Sequence, residues 1–445
     1  MCGFKAGKNK NRKGRRKHKI KSMNFWSKIK IILEDKSLRN RILFVLGGLL
    51  VFRLLSVVPM PGIDSSKLAT FFSGNQFLGL IDVFSGGGLS KLSIVMLGVG
   101  PYITSSIIMQ LLTMMIPKMK EMYHEEGEAG RKRFNQYSRL LTVPIAFVQG
   151  FAYLSLLSNS GLVSKLGFVE MLVSIAIVTA GAMLLMWIGE LMTEFGIGNG
   201  TSIIIFAGIV SRLPSDISRA YLTFDVSQVP MYLSFLAVFL VVIFGVVYVS
   251  EAERPIPVTY AKRIRGAKTY GGVSTYLPLR VNQAGVIPII FALSILLFPQ
   301  MIAKFFTTAG GSEMIKIIAS NIYNFLSNPW VYGVSYFILV FLFTYFYTAV
   351  TFDPESVSTN LQKNGAFIPG VRPGQSTAEY LGKVLTRITL VGAIFLGLIA
   401  VLPTIVQNLT GISSMAIGGT ALLIVVSVVI DLIKKVEAQI SIREY

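Results

Sequence analysis

The sequence predicts an all-α membrane protein with ten transmembrane helices, arranged as two inverted halves of five. A short helix folds back between the first two spans. Three observations carry this reading. The 445 residues are 53% hydrophobic and only 14% charged, whereas a soluble chain carries about a quarter charged residues. Apolar runs recur along the whole length. Positive charge is gathered into alternate loops, the pattern that sets the orientation of multi-pass proteins.

Residues 1–22 are rich in Lys and Arg and poor in apolar side chains, which predicts a disordered extension. Met23 offers an alternative start. Residues 23–41 form an amphipathic interfacial segment, with Phe25–Ile32 basic on one side and apolar on the other. The N-terminal half covers 42–213. Its first span runs near Ile42–Val58, carries Arg53, and stops at Pro59 and Pro61. Gly62–Gln76 is polar and external. Phe77–Phe84 is apolar but far too short to cross a bilayer, which takes roughly 20 helical residues. Gly86, Gly87 and Gly88 then stop a helix and let the backbone swing. After Ser90 and Lys91 a second apolar segment runs to Ile116, long enough to span. Irregular backbone at membrane depth is tolerated only inside protein or along a watery cavity, so this stretch points to a transport path.

Pro117–Arg139 reads as a charged loop. Further spans lie near Leu140–Leu157, Val169–Met192 and Thr201–Leu213. An external connection, 214–228, leads to the C-terminal half, 229–432. Its spans fall near Val229–Val249, Gly285–Phe306, Tyr332–Val350, Ile388–Val406 and Gly418–Leu432. Polar loops cover 250–283 and 351–387, and a tail covers 433–445. Of the 42 Lys and Arg residues, seven fall on the side of the odd-to-even external loops (Lys67, Lys91, Lys165, Arg212, Arg219, Lys304 and Lys316) and Arg53 lies in a span. The other 34 share a side with both termini. The positive-inside rule makes that side cytoplasmic. With five spans per half, the second half starts on the opposite side from the first, so any repeat is inverted.

The single cysteine, Cys2, excludes an internal disulfide and a cysteine metal site. His18 and His124 lie in charged loop stretches and read as solvated. No short apolar core with a cleavage site follows the basic start, so no cleavable signal peptide is expected. There is no P-loop pattern and no nucleophile motif. GIGNG at Gly196–Gly200 lacks the lysine and strand context of a phosphate loop. Glu170, Glu190 and Asp431 sit near span ends and form no convincing proton relay. The chain is expected to be neither an enzyme nor a cofactor carrier.

Five stretches carry a resemblance to a known family. They are SGGGLSKLSIVMLGVGPYITSSIIMQLLT, LMWIGELMTEFGIGNGTSIIIFAGIV, STYLPLRVNQAGVIPIIFALSILLFP, GAFIPGVRPGQSTAEYL and GGTALLIVVSVVIDL. In this order and spread they resemble the SecY family of protein-conducting channel subunits. The resemblance implies a clamshell around an hourglass pore. Its waist would be a ring of Ile103, Ile107, Ile205, Ile290 and Ile424, with Thr201 at a position where the family usually has an aliphatic residue. The short helix, 77–90, would be the plug, with Phe77, Leu80, Asp82 and Phe84 in its body and Gly86, Gly87 and Gly88 as its hinge. Gln110 and Asn282 would be polar residues of a lateral gate through which apolar segments reach lipid.

By the same resemblance, Arg265 and Lys268 in the cytoplasmic loop 250–283 and Arg372 in the cytoplasmic loop 351–387 would dock a motor or the ribosome. Ala267 stands where the family often has a basic residue. The implied partners are the small subunits SecE and SecG, the motor ATPase SecA, the ribosome, preprotein signal sequences and anionic lipids, with SecDF and YidC as further associates. The implied location is the bacterial plasma membrane. An accessory translocase for a few substrates is an alternative reading. A secondary transporter of a small solute is a weaker one, because it should gather polar groups at the midplane. From spacing alone the isoleucines read as packing residues. A dry ring of branched side chains nevertheless suits a pore that must block ions by dewetting and offer a passing chain no hydrogen bonds.

Overall fold

The computed structural model describes residues 34–60, 87–89, 91–124, 126–159, 167–214, 218, 229–265, 268–271, 274–308, 313–410 and 413–443. Helices come in the order α1 Lys36–Leu55, α2 Gly100–Met115, α3 Pro117–His124, α4 Gly127–Asn159, α5 Phe168–Phe195, α6 Gly200–Val210 and α7 Val229–Glu251. Strands β1 Glu253–Tyr260, β2 Lys262–Arg265, β3 Lys268–Gly271 and β4 Ser274–Arg280 follow. Then come α8 Ile287–Thr308, α9 Glu313–Ser327, α10 Pro329–Thr351, α11 Pro354–Lys363, β5 Ala366–Phe367, α12 Gln375–Thr410 and α13 Ser413–Arg443. The helices α1, α2, α4–α8, α10, α12 and α13 fall on the ten expected spans. By length and composition alone, the stretches 168–195, 329–363 and 375–402 suffice to cross a membrane.

The helix starts are written in the sequence. Asp35 caps α1 by accepting from the N–H groups of Ser37 and Leu38. Asn199 caps α6, Asn328 caps α10 and Asp353 caps α11. Each supplies a side-chain oxygen to an otherwise orphaned backbone donor. Proline follows at the first or second position of α2, α10 and α11, where no intrahelical N–H is missed.

Three apolar clusters organise the spanning helices. One lies within the first half, where Met60, Leu89, Leu92 and Met96 pack on Leu154 of α4 and Val178 of α5. A second lies within the other half, among α7, α8, α10, α12 and α13, around Tyr336, Val340 and Leu396. The third joins the halves and contains Phe52, Val99, Leu185, Ile205 and Ile424. Small residues permit the close crossings. A methyl at Gly200 would overlap the carbonyl oxygen of Gly189, and one at Gly181 would overlap that of Ile94. Gly200→Ala should therefore push α5 and α6 apart and cost about 1–3 kcal/mol. Thermal unfolding in detergent checks this, with Gly47→Ala, which meets nothing within 4 Å, as the neutral control.

The structure corrects several expectations. The second span is helical only from Gly100; residues 91–99 are mostly turns. Leu92 and Gly98 have φ of 45° and 58°, values that interrupt a right-handed helix, and Pro101 sets the new start. The polar stretch 250–283 is not a plain loop, so the chain is not purely helical. Strands β1 and β4 pair antiparallel, and β5 adds to the other edge of β1. The tail from 433 continues α13 to Arg443, and Ile440 packs with Leu38 and Ile197. The charges at its start do not end the helix because they find partners. Lys434 pairs with Glu251 at 2.9 Å and Lys435 with Asp431 at 2.9 Å. The loop between α8 and α10 contains α9, which the span pattern passed over. Part of the interfacial segment, from Lys36, belongs to α1; residues 23–33 lie outside the described residues.

Candidate functional site

Two regions hold the residues singled out from the sequence. The first is the junction between the halves. Ile103 on α2, Ile205 on α6, Ile290 on α8 and Ile424 on α13 share one apolar cluster. Two come from each half. Ile205 and Ile424 are 3% and 2% exposed, and Ile103 and Ile290 pack half-buried against the same cluster. Ile107, one turn beyond Ile103, is also buried but is not among that cluster's members. Thr201 does something else. Its hydroxyl donates to Asn199 Oδ1 at 2.6 Å, and its methyl lies against Gly189. It serves the cap of α6 and the α5–α6 crossing. Sequence reasoning missed Phe52, Val95 and Val99, which belong to the same cluster. Val95 and Val99 sit in the turns before α2, where the expected helix hid their inward direction.

Of the residues expected in the plug, Phe77, Leu80, Asp82, Phe84 and Gly86 lie outside the described residues. Gly87 has φ of 82°, a conformation glycine adopts without strain. The chain after it is tied down. The Ser93 N–H donates to Gly88 O, Met60 N–H to Leu92 O and Ile94 N–H to Val58 O. The short stretch after α1 thus grips the segment that leads into α2.

Gln110 lies on α2, and Asn282 lies in the bend before α8, beside Gly392 of α12. Gln110 Oε1 and Asn282 Oδ1 are both buried and accept no hydrogen bond, while Asn282 Nδ2 donates to Gly285 O at 3.3 Å. An unsatisfied buried acceptor costs about 1–3 kcal/mol, a cost that access to water at either position would relieve. Helix α8 also packs on α4. The Ser105 hydroxyl binds the Ser138 carbonyl of α4 at 2.5 Å. The polarity of α2 is thus partly spent on ordinary helix packing, as Thr104 Oγ1 to Gly100 O also shows. Glu190 pairs with Arg139 at 2.8 Å, and Glu170 accepts from the Gly167 N–H at the head of α5.

The second region is the platform made by the two polar loops. In β1, Ile256 and Val258 point into a core with Leu279, Ala366, Ile368 and Leu381. Pro255 faces Pro278. Neither has an N–H, so that pair exchanges no ladder bond, and Pro255 has no β5 residue beside it on the other edge of β1. β5 joins β1 only at Thr259 and Tyr260. The loops thus form one unit. Arg265 and Lys268 face each other in register at the tip of the β2–β3 hairpin.

Arg372 is exposed on a turn held from three sides. Thr377 Oγ1 donates to its carbonyl at 2.8 Å, Ser358 Oγ donates to Gly374 O at 2.6 Å, and the Val371 N–H donates to Ile368 O. Gly370 and Gly374, at φ of 84° and 99°, supply the reversals. Thr377 and Ser358 were not singled out from sequence. The nearby Ser376-to-Glu379 spacing, a helix-start pattern, was the available signal.

Asp353 heads α11 beside this platform. Burial pushes its carboxyl up. Hydrogen bonds from Ser356 Oγ and the N–H groups of Glu355 and Ser356, with the Lys120 ammonium nearby, outweigh burial and hold it below its ordinary value. A depressed carboxyl contributes stability that is full above its unfolded pKa and lost as pH falls through the folded one. Asp353→Ala should remove about 1 kcal/mol of cap at neutral pH and nothing in strong acid, read from proteolysis of the loop across pH.

Comparison with known proteins decides the family. The SecY family model matches residues 93–433. The chain belongs to the SecY family. Among curated SecY relatives named protein translocase subunit SecY, that of Thermotoga maritima is 42% identical over 433 residues, covering 94% of this chain and 97% of the relative. That of Mycobacterium tuberculosis strain H37Rv is 41% identical over 432 residues, covering 93% and 97%. A solved structure described as a protein conducting channel shares the SecY fold with this chain. Its TM-score is 0.60 at 17% identity, over 91% of this chain and 93% of the other. The yeast Ssh1 complex bound to the yeast ribosome gives 0.61 at 15%, over 86% and 88%.

Proposed function

We propose that this chain is the channel subunit of a bacterial plasma-membrane protein translocase. It passes unfolded preproteins outward and releases apolar segments sideways into lipid. The observation that carries this reading is the cluster of Ile103, Ile205, Ile290 and Ile424, drawn from four helices and both halves. A solute transporter would gather polar or charged groups there. Both termini and the β-sheet platform face the cytoplasm, a reading that the distribution of Lys and Arg supports. Work for translocation comes from outside the chain, from a motor of the SecA type or from the ribosome, docked at Arg372 and the β2–β3 hairpin. SecE and SecG complete the complex. The seam between α2 and α8, with Gln110 and Asn282 on its two sides, is the lateral gate, and the stretch 77–90 is the plug.

The test is a crosslink. With Cys2→Ser as background, Ile290→Cys is combined with a stalled secretory chain carrying one cysteine. A disulfide that depends on the signal sequence is the expected result. Crosslinks only at outer-face control positions would remove the path from this junction.

A further inference from the structure

Helix α9 has no part in the pore or the platform, yet its sequence, EMIKIIASNIYNFLS, is sharply two-faced. Projected at 100° per residue, Met314, Ile315, Ile318, Ile322 and Phe325 fall on one arc. Glu313, Lys316, Ser320, Asn324 and Ser327 fall opposite. Only a narrow strip between them meets the protein, where Ala319 is buried. The apolar arc is bare. Met314 is 73% exposed and Phe325 64%.

The ends of α9 fix its depth. Four residues separate it from the end of α8, at most about 14 Å of chain. Its last residue precedes Asn328, the cap of α10, and Trp330, in the first turn of α10, is 75% exposed. Tryptophan in that position suits the headgroup boundary. Gln300, buried in α8, donates to the Leu326 carbonyl at 3.2 Å and fastens α9 down. A helix of 15 residues pinned at both ends to spanning helices runs along the surface they share.

We propose that α9 is an interfacial helix whose Met314–Phe325 face is embedded in the outer-leaflet lipid. The occupant is lipid because α9 packs on α8 and α10, which themselves expose apolar side chains at Ile302, Phe306 and Val334. Its own charges, Glu313 and Lys316, cancel, so embedding depends on apolar area rather than on anionic headgroups. The assignment to the outer leaflet rests on the proposed orientation; the embedding itself does not.

The test uses the full chain with its accompanying subunits, with Cys2→Ser and one cysteine at either Phe325 or Lys316. Each is labelled with an environment-sensitive fluorophore in phosphatidylcholine vesicles, after export activity has been verified. The expected result at Phe325 is several-fold stronger quenching by a shallow spin-labelled lipid, and several-fold weaker quenching by iodide, than at Lys316. Adding anionic lipid should leave this unchanged. Equal iodide access at both sites, or a disulfide between two copies through the Phe325 cysteine without lipid quenching, would overturn the proposal. Spin label confined to one leaflet separates a wrong side, which would overturn the orientation, from a wrong occupant.

Discussion

Replacing Ile424 by Asn should raise export of a reporter with a weakened signal sequence about tenfold, and Ile290→Asn should do the same. Both side chains lie in the cluster that joins the halves, and Ile424 is nearly inaccessible. An amide there has no donor or acceptor partner from the isoleucines around it. A buried polar group left unsatisfied costs about 1–3 kcal/mol, and the closed state bears that cost alone, because an open junction is wet. A bias of about 1.4 kcal/mol toward opening is tenfold in population. Ile424→Leu keeps the volume and the dryness and should leave selectivity near wild type. Unchanged signal selectivity in both Asn variants would count against this junction as the seal. The same change at Thr201 should do much less, since its hydroxyl and methyl are committed to Asn199 and Gly189.

That contrast marks what was legible in the sequence. Apolar length announces a spanning helix, because hydrocarbon admits only segments whose backbone is internally bonded. Ten helices overlap the expected spans, the second only from Gly100. Inward direction is less legible. Ile205 and Thr201 are four apart on α6, yet one joins the junction and the other faces α5, because the crossing at Gly189 and Gly200 sets where α5 lies. The platform was hidden for another reason. Pro255 and Pro257 make β1 read as loop, and only the pairing with Pro278 on one side and the absence of β5 on the other gives their missing donors a place. Helix α9 escaped because a search for long apolar runs rejects an amphipathic 15-mer. The glycines and prolines around Arg372 were legible, since their backbone preferences are local. The hydroxyls of Ser358 and Thr377 that hold that turn come from flanking helices and needed the fold.

Arg372→Glu should reduce motor-driven export by at least about 30-fold while membrane insertion of a strongly apolar segment persists. The guanidinium is exposed, on a turn whose carbonyls are bonded to Thr377 and Ser358. The backbone that carries it is therefore held in one place before any partner arrives. Arginine pairs bidentately with carboxylate. Reversing one charge of a hydrogen-bonded pair across an interface costs about 2–5 kcal/mol, and 2 kcal/mol is already near 30-fold in affinity. Arg372→Lys keeps the charge but loses the fork, so an intermediate defect is expected. Thr377→Ala leaves the guanidinium in place and loosens the turn. Its defect should be smaller and should appear as weaker motor binding rather than as a lower maximal rate. Titrating the motor against vesicles carrying each variant separates these outcomes. Equal loss of export and insertion in Arg372→Glu would trace to misfolding of the platform, whose core of Ile256, Leu279 and Leu381 lies beneath the same turn. Full retention of motor binding would move the docking contact away from Arg372 and onto the β2–β3 hairpin.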